Sequence, residues 1–397
     1  MEKRDIGDLA IFNGPRAFLT PISTSNLPQP DIDNFLAYSR KFYEAKHYTN
    51  NGPNVRLLES RLAQFHQAKH CIAFANGFWA IVLTLKALAL PGKTEIVIPS
   101  LTYRRLADIT AWLRLVPRFC EVDEHTLSIT AETVTNCIND QTAAILAAHP
   151  IVNCCDAEAI ASVGLRAGIP TVFDSVESVY ESVAGGKIGS FGNAECFSLH
   201  ASKLVNGFEG GYVTTNDGDL ARRLMHMRGF GFIGQDTIVE LGLNAKLCEP
   251  HACMALACLD DLEDQVIRNR MRYYRYRDSL QKIPGLRLLE FDESNRTSYK
   301  NIVVEITAAW PLSRKLTLEI LHAEGVLARP YYSPPLHKKN MSYPYIPAEL
   351  PVTEQLADKF LLLPCGHFVT TEDIDRLCDL FVFMQDNANG IMEQLQP

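Results

Sequence analysis

The sequence lacks an apolar run near the roughly 20 residues that a membrane-spanning helix needs, and its start, MEKRDIGDLAIF, lacks an export signal. It also lacks an excess of basic residues, because 46 Asp and Glu outnumber 38 Lys and Arg and give a formal net charge of −8. This balance argues against a nucleic-acid-binding surface. We therefore expect a soluble cytoplasmic protein that binds neither membranes nor nucleic acids.

The 11 cysteines do not follow the pattern of a small secreted domain held together by disulfides. Five of them lie inside apolar runs that resemble strands or a helix: Cys71, Cys120, Cys196, Cys253 and Cys258. In a long chain, this placement predicts buried free thiols in a reducing compartment.

Two further patterns favour ordinary structure over a specialised site. His149 is near Cys154 and Cys155, but these cysteines lack C-x-x-C spacing and no His-Glu-x-x-His is present, so we expect no metal site. The run 268–277, RNRMRYYRYR, mixes cations with aromatics as nucleic-acid surfaces do. Because the acidic run 260–264 precedes it, the charged face of a helix is the favoured interpretation.

The regular part of the sequence alternates short apolar runs with amphipathic stretches, which predicts strands and helices in turn. The predicted strands are Cys71–Ala75, Glu95–Pro99, Arg118–Val122, Ala143–Ala148 and Pro170–Phe173, and the helices are Gly77–Leu90, Arg105–Leu115, Ala131–Ile138 and Ala157–Ala167. Such alternation predicts an α/β fold with a largely parallel sheet covered on both faces.

The pattern changes after Asp174, and with 397 residues the chain is long enough for two domains. We predict strands Glu195–His200 and Gly211–Thr215, helix Asp217–Gly229, one long helix Pro250–Lys282, strand Tyr299–Ile306, and helices Leu312–Gly325 and Thr371–Met384. The proposed division is an N-terminal lead-in (1–55) that closes over the active site, a large cofactor-binding domain (56–250), and an interdomain helix with a small C-terminal domain (251–397).

The segment ECFSLHASKLVNGFEGGYVTT carries the most chemical information. Lys203 lies a few residues past a strand, after Ser198, and is followed by Glu-Gly-Gly. A lysine that bonds to a carbonyl cofactor must lose its proton, which burial favours, and a nearby hydroxyl can bind a phosphate. The double glycine would let the backbone pass close to a bound ring. A solvent-facing loop lysine is the ordinary alternative.

Two other elements stand at strand ends. Asp174 ends the strand PTVFD, where open α/β sheets bind ligands, and an anion there can keep a pyridine nitrogen protonated. Asn76-Gly77 follows the strand CIAFA and begins a helix, whose free N–H groups can bind a phosphate. A helix-capping Asp and an ordinary strand-to-helix turn are the structural alternatives.

Taken together, these elements resemble the DegT/StrS-type sugar aminotransferases, a family of fold-type I pyridoxal-phosphate enzymes. Seven segments carry the resemblance over nearly the whole chain: NNGPNVRLLESRLAQF, EIVIPSLTY, PTVFDSVES, GKIGSFGNAECFSLHASK, EGGYVTTND, LGLNAKLCE and VTEQLADKFLLLP. The resemblance implies a large domain with a mostly parallel seven-stranded sheet and a smaller C-terminal α/β domain. It also implies pyridoxal 5'-phosphate as the cofactor.

The resemblance assigns roles to residues around the cofactor. Lys203 would bond to it and then act as general base and acid, and Asp174 would pair with the pyridinium nitrogen. Ser198 would bind the phosphate together with the backbone amides of Gly77 and Phe78. Some relatives carry His in place of this lysine and perform dehydration, so the lysine favours transamination.

Three more residues complete the implied site. Tyr103 would stack on the cofactor ring, and Asn244 would reach the phosphate from a partner subunit, which implies a homodimer with shared active sites. The segment Arg329-Pro330-Tyr331-Tyr332 resembles one near the family's active-site entrance, so Tyr331 is a candidate substrate contact, with interface packing as the alternative.

The sequence departs from the family at three places. The phosphate loop, which usually reads Gly-Thr or Ala-Thr before a small residue, here reads Gly77-Phe78-Trp79, so one hydroxyl contact is missing and two bulky rings are added. Glu177 stands where Gln or His is usual, and a carboxylate beside the ring phenolate would repel it or have to stay protonated. Arg104 and Arg105 follow Tyr103, either to bind an anionic part of the substrate or as a solvated first turn of a helix.

The function implied by the resemblance is transfer of an amino group from an amino acid, glutamate or glutamine, to a keto-sugar nucleotide or a related biosynthetic ketone. Two alternatives stay open at this point. Phe78 and Trp79 motivate a transaminase of a ketone or aldehyde that is not linked to a nucleotide. Glu177 motivates a regulatory protein that binds the cofactor with little turnover.

Overall fold

The computed structural model describes residues 3–25 and 27–395, which form two main sheets and the helices around them. The helices are α1 (Ile32–Glu44), α2 (Pro53–His66), α3 (Gly77–Leu88), α4 (Leu106–Trp112), α5 (Ala131–Cys137), α6 (Ala157–Ala167), α7 (Gly218–Met227), α8 (Glu249–Asp260), α9 (Leu262–Leu280), α10 (Arg314–Ala323), α11 (Pro351–Ala357), α12 (Thr371–Asp386) and α13 (Ala388–Leu395), with 3-10 turns at Ile6–Asp8, Ala10–Phe12 and Leu336–Lys338. The strands are β1 (Ile22–Ser23), β2 (His70–Phe74), β3 (Glu95–Pro99), β4 (Val116–Cys120), β5 (Thr142–Ala148), β6 (Thr171–Asp174), β7 (Ser182–Val183), β8 (Gly186–Lys187), β9 (Ala194–Ser198), β10 (Gly211–Thr215), β11 (Phe232–Ile233), β12 (Thr237–Ile238), β13 (Leu286–Leu288), β14 (Ile302–Ile306), β15 (Val326–Leu327), β16 (Arg329–Pro330) and β17 (Phe360–Leu363).

The larger sheet has seven strands in the order β2-β10-β9-β6-β5-β3-β4. Strand β10 runs antiparallel to both of its neighbours, and the remaining adjacent pairs are parallel. All residues of β3 and β5 are buried, as expected for parallel strands covered by helices on both faces. The predicted α/β fold with a mostly parallel seven-stranded sheet is confirmed.

The pairing of these strands decides where a site can form. Strands β2, β3, β6 and β9 point in the same direction, so their carboxyl ends meet at one edge of the sheet. The residues that follow Phe74, Pro99, Asp174 and Ser198 therefore lie at this edge. Open α/β sheets bind their ligands at such an edge.

The smaller sheet is antiparallel, in the order β13-β14-β17-β16, and lies within residues 286–363. Strand β1 pairs with β15 and aligns Ile22 with Val326, which attaches the start of the chain to this C-terminal part. The predicted domain boundary at residue 55 lies inside α2. The division into three segments stays a prediction.

The prediction of a single helix over 250–282 is wrong, because the helix is interrupted at Asp261, between α8 and α9. The two helices pack against different neighbours, α8 against α1 and α2, and α9 against α12. The carboxylate of Asp261 accepts a hydrogen bond from Arg268 at 2.8 Å. A change of packing partner, rather than a turn residue, therefore ends the first helix.

The strand predicted from Tyr299 begins only at Ile302. Tyr299 has a positive φ of 50°, which a regular strand does not accommodate, and its ring packs on those of Tyr273 and Phe291. Lys300 consequently lies before β14 and not within it. Helix α1 was not predicted, since Phe42 is its one buried residue.

Two expectations about other patterns can be compared with the structure. The cysteines are free thiols, and the five for which burial was predicted are buried. The basic and aromatic run lies in α9, where Tyr273 and Tyr276 are buried and Arg275 makes two hydrogen bonds to Asp375 of α12, at 2.5 and 2.6 Å. Over the described residues, no helix combines the length and the apolar character that a membrane span requires.

Candidate active site

A cavity of about 590 Å³ opens at the carboxyl edge of the seven-stranded sheet. Its walls come from the segments that follow β2, β3, β6 and β9, and Arg329 and Tyr332 contribute from the C-terminal part. Eight of the site residues predicted from the sequence line this cavity: Gly77, Phe78, Tyr103, Arg104, Asp174, Glu177, Ser198 and Lys203.

The start of α3 forms one wall. The side chain of Asn76 caps the helix by accepting a hydrogen bond from the Trp79 amide at 2.8 Å. The amides of Gly77 and Phe78, in the first turn, have no partner within the helix, so they can bind an anion. A Cβ atom at position 77 would come within 3.1 Å of the Ser198 Cβ, so glycine allows the helix to start this close to β9.

The turn after β9 positions the lysine. The Ser198 hydroxyl accepts a hydrogen bond from the His200 amide at 3.2 Å, and the Lys203 amide donates to the His200 carbonyl at 2.8 Å. The Lys203 side chain is only 15% exposed. The turn thus brings a hydroxyl and a largely buried amine to the same cavity.

The double glycine has a different neighbour from the one expected. A Cβ atom on Gly211 would lie 2.4 Å from the backbone nitrogen of Gly77. Strand β10 therefore needs glycine there in order to pass the start of α3. The predicted approach to a bound ring stays a prediction.

Asp174 ends β6 and is buried in the cavity wall. Burial raises the pKa of its carboxyl to about 6, and the one hydrogen bond described for the side chain, from the Val176 amide, is long at 3.3 Å. A positively charged group in the cavity would stabilise the ionised carboxylate. The site therefore suits a protonated ring nitrogen.

His149 lies behind Asp174. Its contacts give a structural role to a residue that the sequence analysis had considered, with Cys154 and Cys155, as a metal ligand. Its amide donates to the Asp174 carbonyl at 3.2 Å, and its ring stacks on Phe173 with centroids 5.4 Å apart. Its Nδ1 lies 3.2 Å from the Cys155 sulfur. Among the described residues, no group of three or more His, Cys, Asp or Glu is arranged to hold a metal ion.

Glu177 makes two ion pairs, one with each carboxylate oxygen. Oε1 accepts a hydrogen bond from Lys203 and Oε2 accepts one from Lys300. Burial alone would raise the pKa of Glu177, but the two ammonium groups lower it to about 2. Glu177 is thus ionised between two ammonium groups here, and the choice between repelling the ring phenolate and staying protonated stays a prediction. The second lysine balances the charge that the sequence left unexplained.

The aromatic residues divide between the cavity and its surroundings. Phe78 lines the cavity, whereas Trp79 packs against Trp112, with ring centroids 5.2 Å apart. Of these two bulky rings, only that of Phe78 lines the cavity. Tyr332 lines the cavity, whereas Tyr331 lies fully buried behind it, so the substrate contact predicted for Tyr331 stays a prediction.

Cationic residues gather at the mouth of the cavity. Arg104 and Arg105 line it just before α4 begins, and Arg105 pairs with Asp108 at 3.1 Å. Burial and then the charges of these two arginines lower the pKa of Lys339, so the three cations lie close together. Arg329 lines the cavity as well. The arginine pair thus lies both in the cavity lining and at the start of a helix, so an anion-binding role and a solvated helix start are compatible.

Comparison with known proteins decides the family. Residues 30–382 match the DegT/DnrJ/EryC1/StrS aminotransferase family. The chain belongs to this family. The predicted aminotransferase is thus confirmed at the level of the family.

Individual relatives of this aminotransferase cover almost its full length. The dTDP-4-amino-4,6-dideoxy-D-glucose transaminase of Escherichia coli is 26% identical over 367 residues, which are 91% of this chain and 98% of the relative. The UDP-2-acetamido-2-deoxy-3-oxo-D-glucuronate aminotransferase of Pseudomonas aeruginosa is 27% identical over 331 residues, 82% of this chain and 89% of the relative. The crystal structure of DesI in the presence of its TDP-sugar product superposes with a TM-score of 0.91 at 32% identity, covering 99% of this chain and all of that chain.

Asn244 is a predicted site residue that the aminotransferase chain does not bring to its own cavity. It is exposed, and its backbone forms a bridge with Gly229. Its predicted role in a partner's site stays a prediction. None of the described residues before 56 lines the cavity, so closure by the N-terminal lead-in also stays a prediction.

Lys300 contacts a residue of the cavity wall and was missed by sequence reasoning. It lies 123 positions after Glu177, and no spacing rule connects the two. The available signal was a lysine two residues before the apolar strand IVVEI, where a solvated charge is unexpected. Its side chain is only 5% exposed.

Proposed function

We propose that this aminotransferase uses pyridoxal 5'-phosphate to move an amino group from an amino acid, glutamate or glutamine, to a keto-sugar nucleotide or a related biosynthetic ketone. The observation that carries this proposal is the meeting, in one cavity, of a largely buried amine at Lys203, a buried carboxyl at Asp174 and the start of α3. These three elements come from distant parts of the sequence. They match the aldehyde, the ring nitrogen and the phosphate of the cofactor, in that order.

The described residues fit the cofactor chemically. Asp174 would pair with its ring nitrogen, and the Ser198 hydroxyl and the amides of Gly77 and Phe78 would bind its phosphate. Tyr103 would lie beside the ring. When bound, the cofactor supplies an aldehyde carbon that takes the amine and a ring that accepts an electron pair.

Lys203 would do the proton chemistry. Its Nζ lies at the cavity, hydrogen-bonded to Glu177, where it would take a proton from the amine-bearing carbon of the donor and, in the second half-reaction, give one to the carbon of the acceptor that receives the amine. Phe78 and Tyr332 line the same cavity and limit the access of water. The two substrates would enter in turn, giving ping-pong kinetics.

The acceptor would enter at the cationic mouth. Arg104, Arg105 and Arg329 offer the planar donor groups that bind phosphate oxygens in pairs. The Escherichia coli and Pseudomonas aeruginosa relatives are named for dTDP- and UDP-linked sugars, which carry a diphosphate. Both observations support a nucleotide-linked acceptor for this chain.

A ketone without a nucleotide is the second candidate acceptor. Phe78 favours it, because a bulky ring in place of a small residue narrows the cavity beside α3. The measurement that separates the two candidates is amine transfer to matched pairs of nucleotide-linked and free keto-sugars. The regulatory alternative was motivated by Glu177, whose negative charge is balanced here by the ion pair with Lys300.

A homodimer with shared active sites is part of this proposal. The hairpin of β11 and β12 and the residues beside it expose six large apolar side chains: Phe230, Phe232, Ile233, Ile238, Val239 and Leu241. An exposed apolar patch of this kind is typical of a contact between proteins. Asn244 follows directly, so a second copy that covers the hairpin would receive its side chain. A cytoplasmic location, predicted from the free thiols, stays a prediction.

The proposed activity has a direct optical test. Protein loaded with the cofactor should absorb visible light, lose that band when glutamate or glutamine is added without acceptor, and regain it with the matching keto acid. A band that no amino acid bleaches would contradict the proposal.

A further inference from the structure

Lys300 makes its contact with the site through one residue. Its Nζ donates to Oε2 of Glu177, whose other oxygen accepts from Lys203. Lys300 does not line the cavity, and it lies before β14 of the four-stranded sheet, whereas Glu177 follows β6 of the seven-stranded sheet. A charge from the C-terminal part of the chain is therefore placed behind the carboxylate that faces Lys203.

The charges explain why this arrangement is useful. The resemblance to the family leads one to expect a neutral Gln or His at position 177, beside the cofactor oxygen. Glu177 alone would add a negative charge there, whereas Glu177 and Lys300 together add none. Burial makes this balance necessary, because an unpaired charge in a poorly solvated place is costly.

We propose that Lys300 is a positioning residue that keeps Glu177 charged and directed at Lys203, so that the pair sets how strongly Nζ of Lys203 holds a proton. This inference rests on the proposed function, since it concerns the amine that carries the cofactor. The pair replaces a neutral side chain without changing the net charge of the site, and it connects that site to the C-terminal sheet.

Other groups near Glu177 also influence how strongly Nζ of Lys203 holds its proton. Asp174 adds a negative charge that works with Glu177, and the hydroxyl of Tyr332 and the thiol of Cys365 stay neutral because burial raises the pKa of each. These three groups are the same in the variants compared below. The groups that face Glu177 from the packed elements are Asp174, Lys203, Lys300, Tyr332 and Cys365.

The test is a pH titration of the visible absorbance of the cofactor-loaded protein. Lys300→Met removes the balancing cation, so the site should keep its proton to higher pH and the midpoint should rise by about one pH unit or more. Glu177→Gln removes the anion and leaves Lys300, so the midpoint should fall by a similar amount. The double variant Glu177→Gln/Lys300→Met removes both charges and should titrate close to the wild type.

Three controls make these shifts interpretable. Lys300→Arg keeps the charge and should stay within about 0.5 pH unit of the wild type. Lys187→Met removes another partly buried lysine, whose ammonium donates to the Phe65 carbonyl away from the cavity, and should not shift the midpoint. In protein without cofactor, an amine-directed reagent followed by peptide mass spectrometry should label Lys203 faster in Glu177→Gln and more slowly in Lys300→Met.

The outcomes separate this inference from the proposed function. Equal midpoints in the wild type and Lys300→Met, or shifts of the same sign in the two single variants, would overturn the role of Lys300. Should Lys300→Met fail to fold, Glu177→Gln decides alone, because an unchanged midpoint there equally overturns the proposal. A wild-type protein that takes up no colour contradicts the proposed function instead, before any variant is compared.

Discussion

Lys300 and Glu177 form a largely buried ion pair between the C-terminal sheet and the cavity of the seven-stranded sheet. Through this contact, the C-terminal part of the chain contributes a charge to the site in addition to enclosing it. It also gives Glu177, the most unusual residue of the cavity, a charge partner that the surrounding segment does not contain. The predictions below concern the other parts of the same site.

Asp174→Asn should stabilise the protein without cofactor at neutral pH. Burial raises the pKa of Asp174 from its ordinary 3.8 to about 6, so between these pH values the folded protein keeps a proton that the unfolded chain has released. Stability is therefore lost as the pH rises from about 4 to 6, by about 2–3 kcal/mol in total at 1.36 kcal/mol per pH unit. The Asn side chain of the variant does not ionise, so its stability does not fall in this way.

Urea unfolding at pH 8 and at pH 4 measures this effect. The variant should be more stable than the wild type at pH 8 and similar to it at pH 4, while its affinity for the cofactor falls. Asp278→Asn, at an exposed position of α9, should change neither property. A variant that is destabilised at both pH values would show that Asp174 serves the fold and not the cofactor.

Phe78→Ala should change the choice of acceptor. The ring lines the cavity, so its removal should shift the ratio of kcat/KM between a bulky and a small acceptor by about 10-fold. Trp79→Phe is the matched control, since Trp79 packs on Trp112 and should leave that ratio unchanged. Steady-state kinetics on a panel of nucleotide-linked and free ketones provides the ratios, and an equal effect of both variants would contradict the account.

Arg104→Gln should weaken binding of an acceptor that carries a diphosphate. A hydrogen bond to a charged group contributes about 1.5–3 kcal/mol, so KM should rise about 10- to 100-fold for this acceptor and stay unchanged for the free keto-sugar. Arg222→Gln, an exposed change on α7, is the control. If the reaction with the amino donor slows instead, Arg104 binds a substrate carboxylate and the diphosphate assignment is wrong.

Mixing two inactive variants should restore activity if the active sites are shared. Lys203→Ala and Asn244→Ala place their defects in different subunits of each site, so random exchange should yield about one quarter of the wild-type activity. Leu241→Asp, which puts a charge on a side chain that is 75% exposed, should lower the fraction of dimer in sedimentation experiments. A monomeric wild type, or a mixture without activity, would contradict the shared site.

Gly77, Asp174 and Lys203 could be predicted from the sequence because each lies at or just after the end of a strand, and strands in a parallel sheet end at a common edge. The sequence therefore indicated both which side chains could do chemistry and that they would lie close together. Lys300 could not be predicted in this way, because it approaches Glu177 from a separate sheet. Nothing local to either residue indicates this contact.

Two smaller differences from the sequence-based predictions arise from packing in the folded chain. Tyr331 was the candidate chosen from the sequence, whereas Tyr332, which has a positive φ of 44°, is the one that lines the cavity. The break at Asp261 was missed because both flanking segments favour a helix and only the helices they pack against differ. Each depends on contacts made after the chain has folded.

The most direct test of the central claim is to find which side chain holds the cofactor. Borohydride reduction of the coloured protein, followed by proteolysis and mass spectrometry, should place the label on Lys203, and Lys203→Ala should take up no covalent label and transaminate far below the wild-type rate. A label on another residue, or wild-type turnover by Lys203→Ala, would contradict the account.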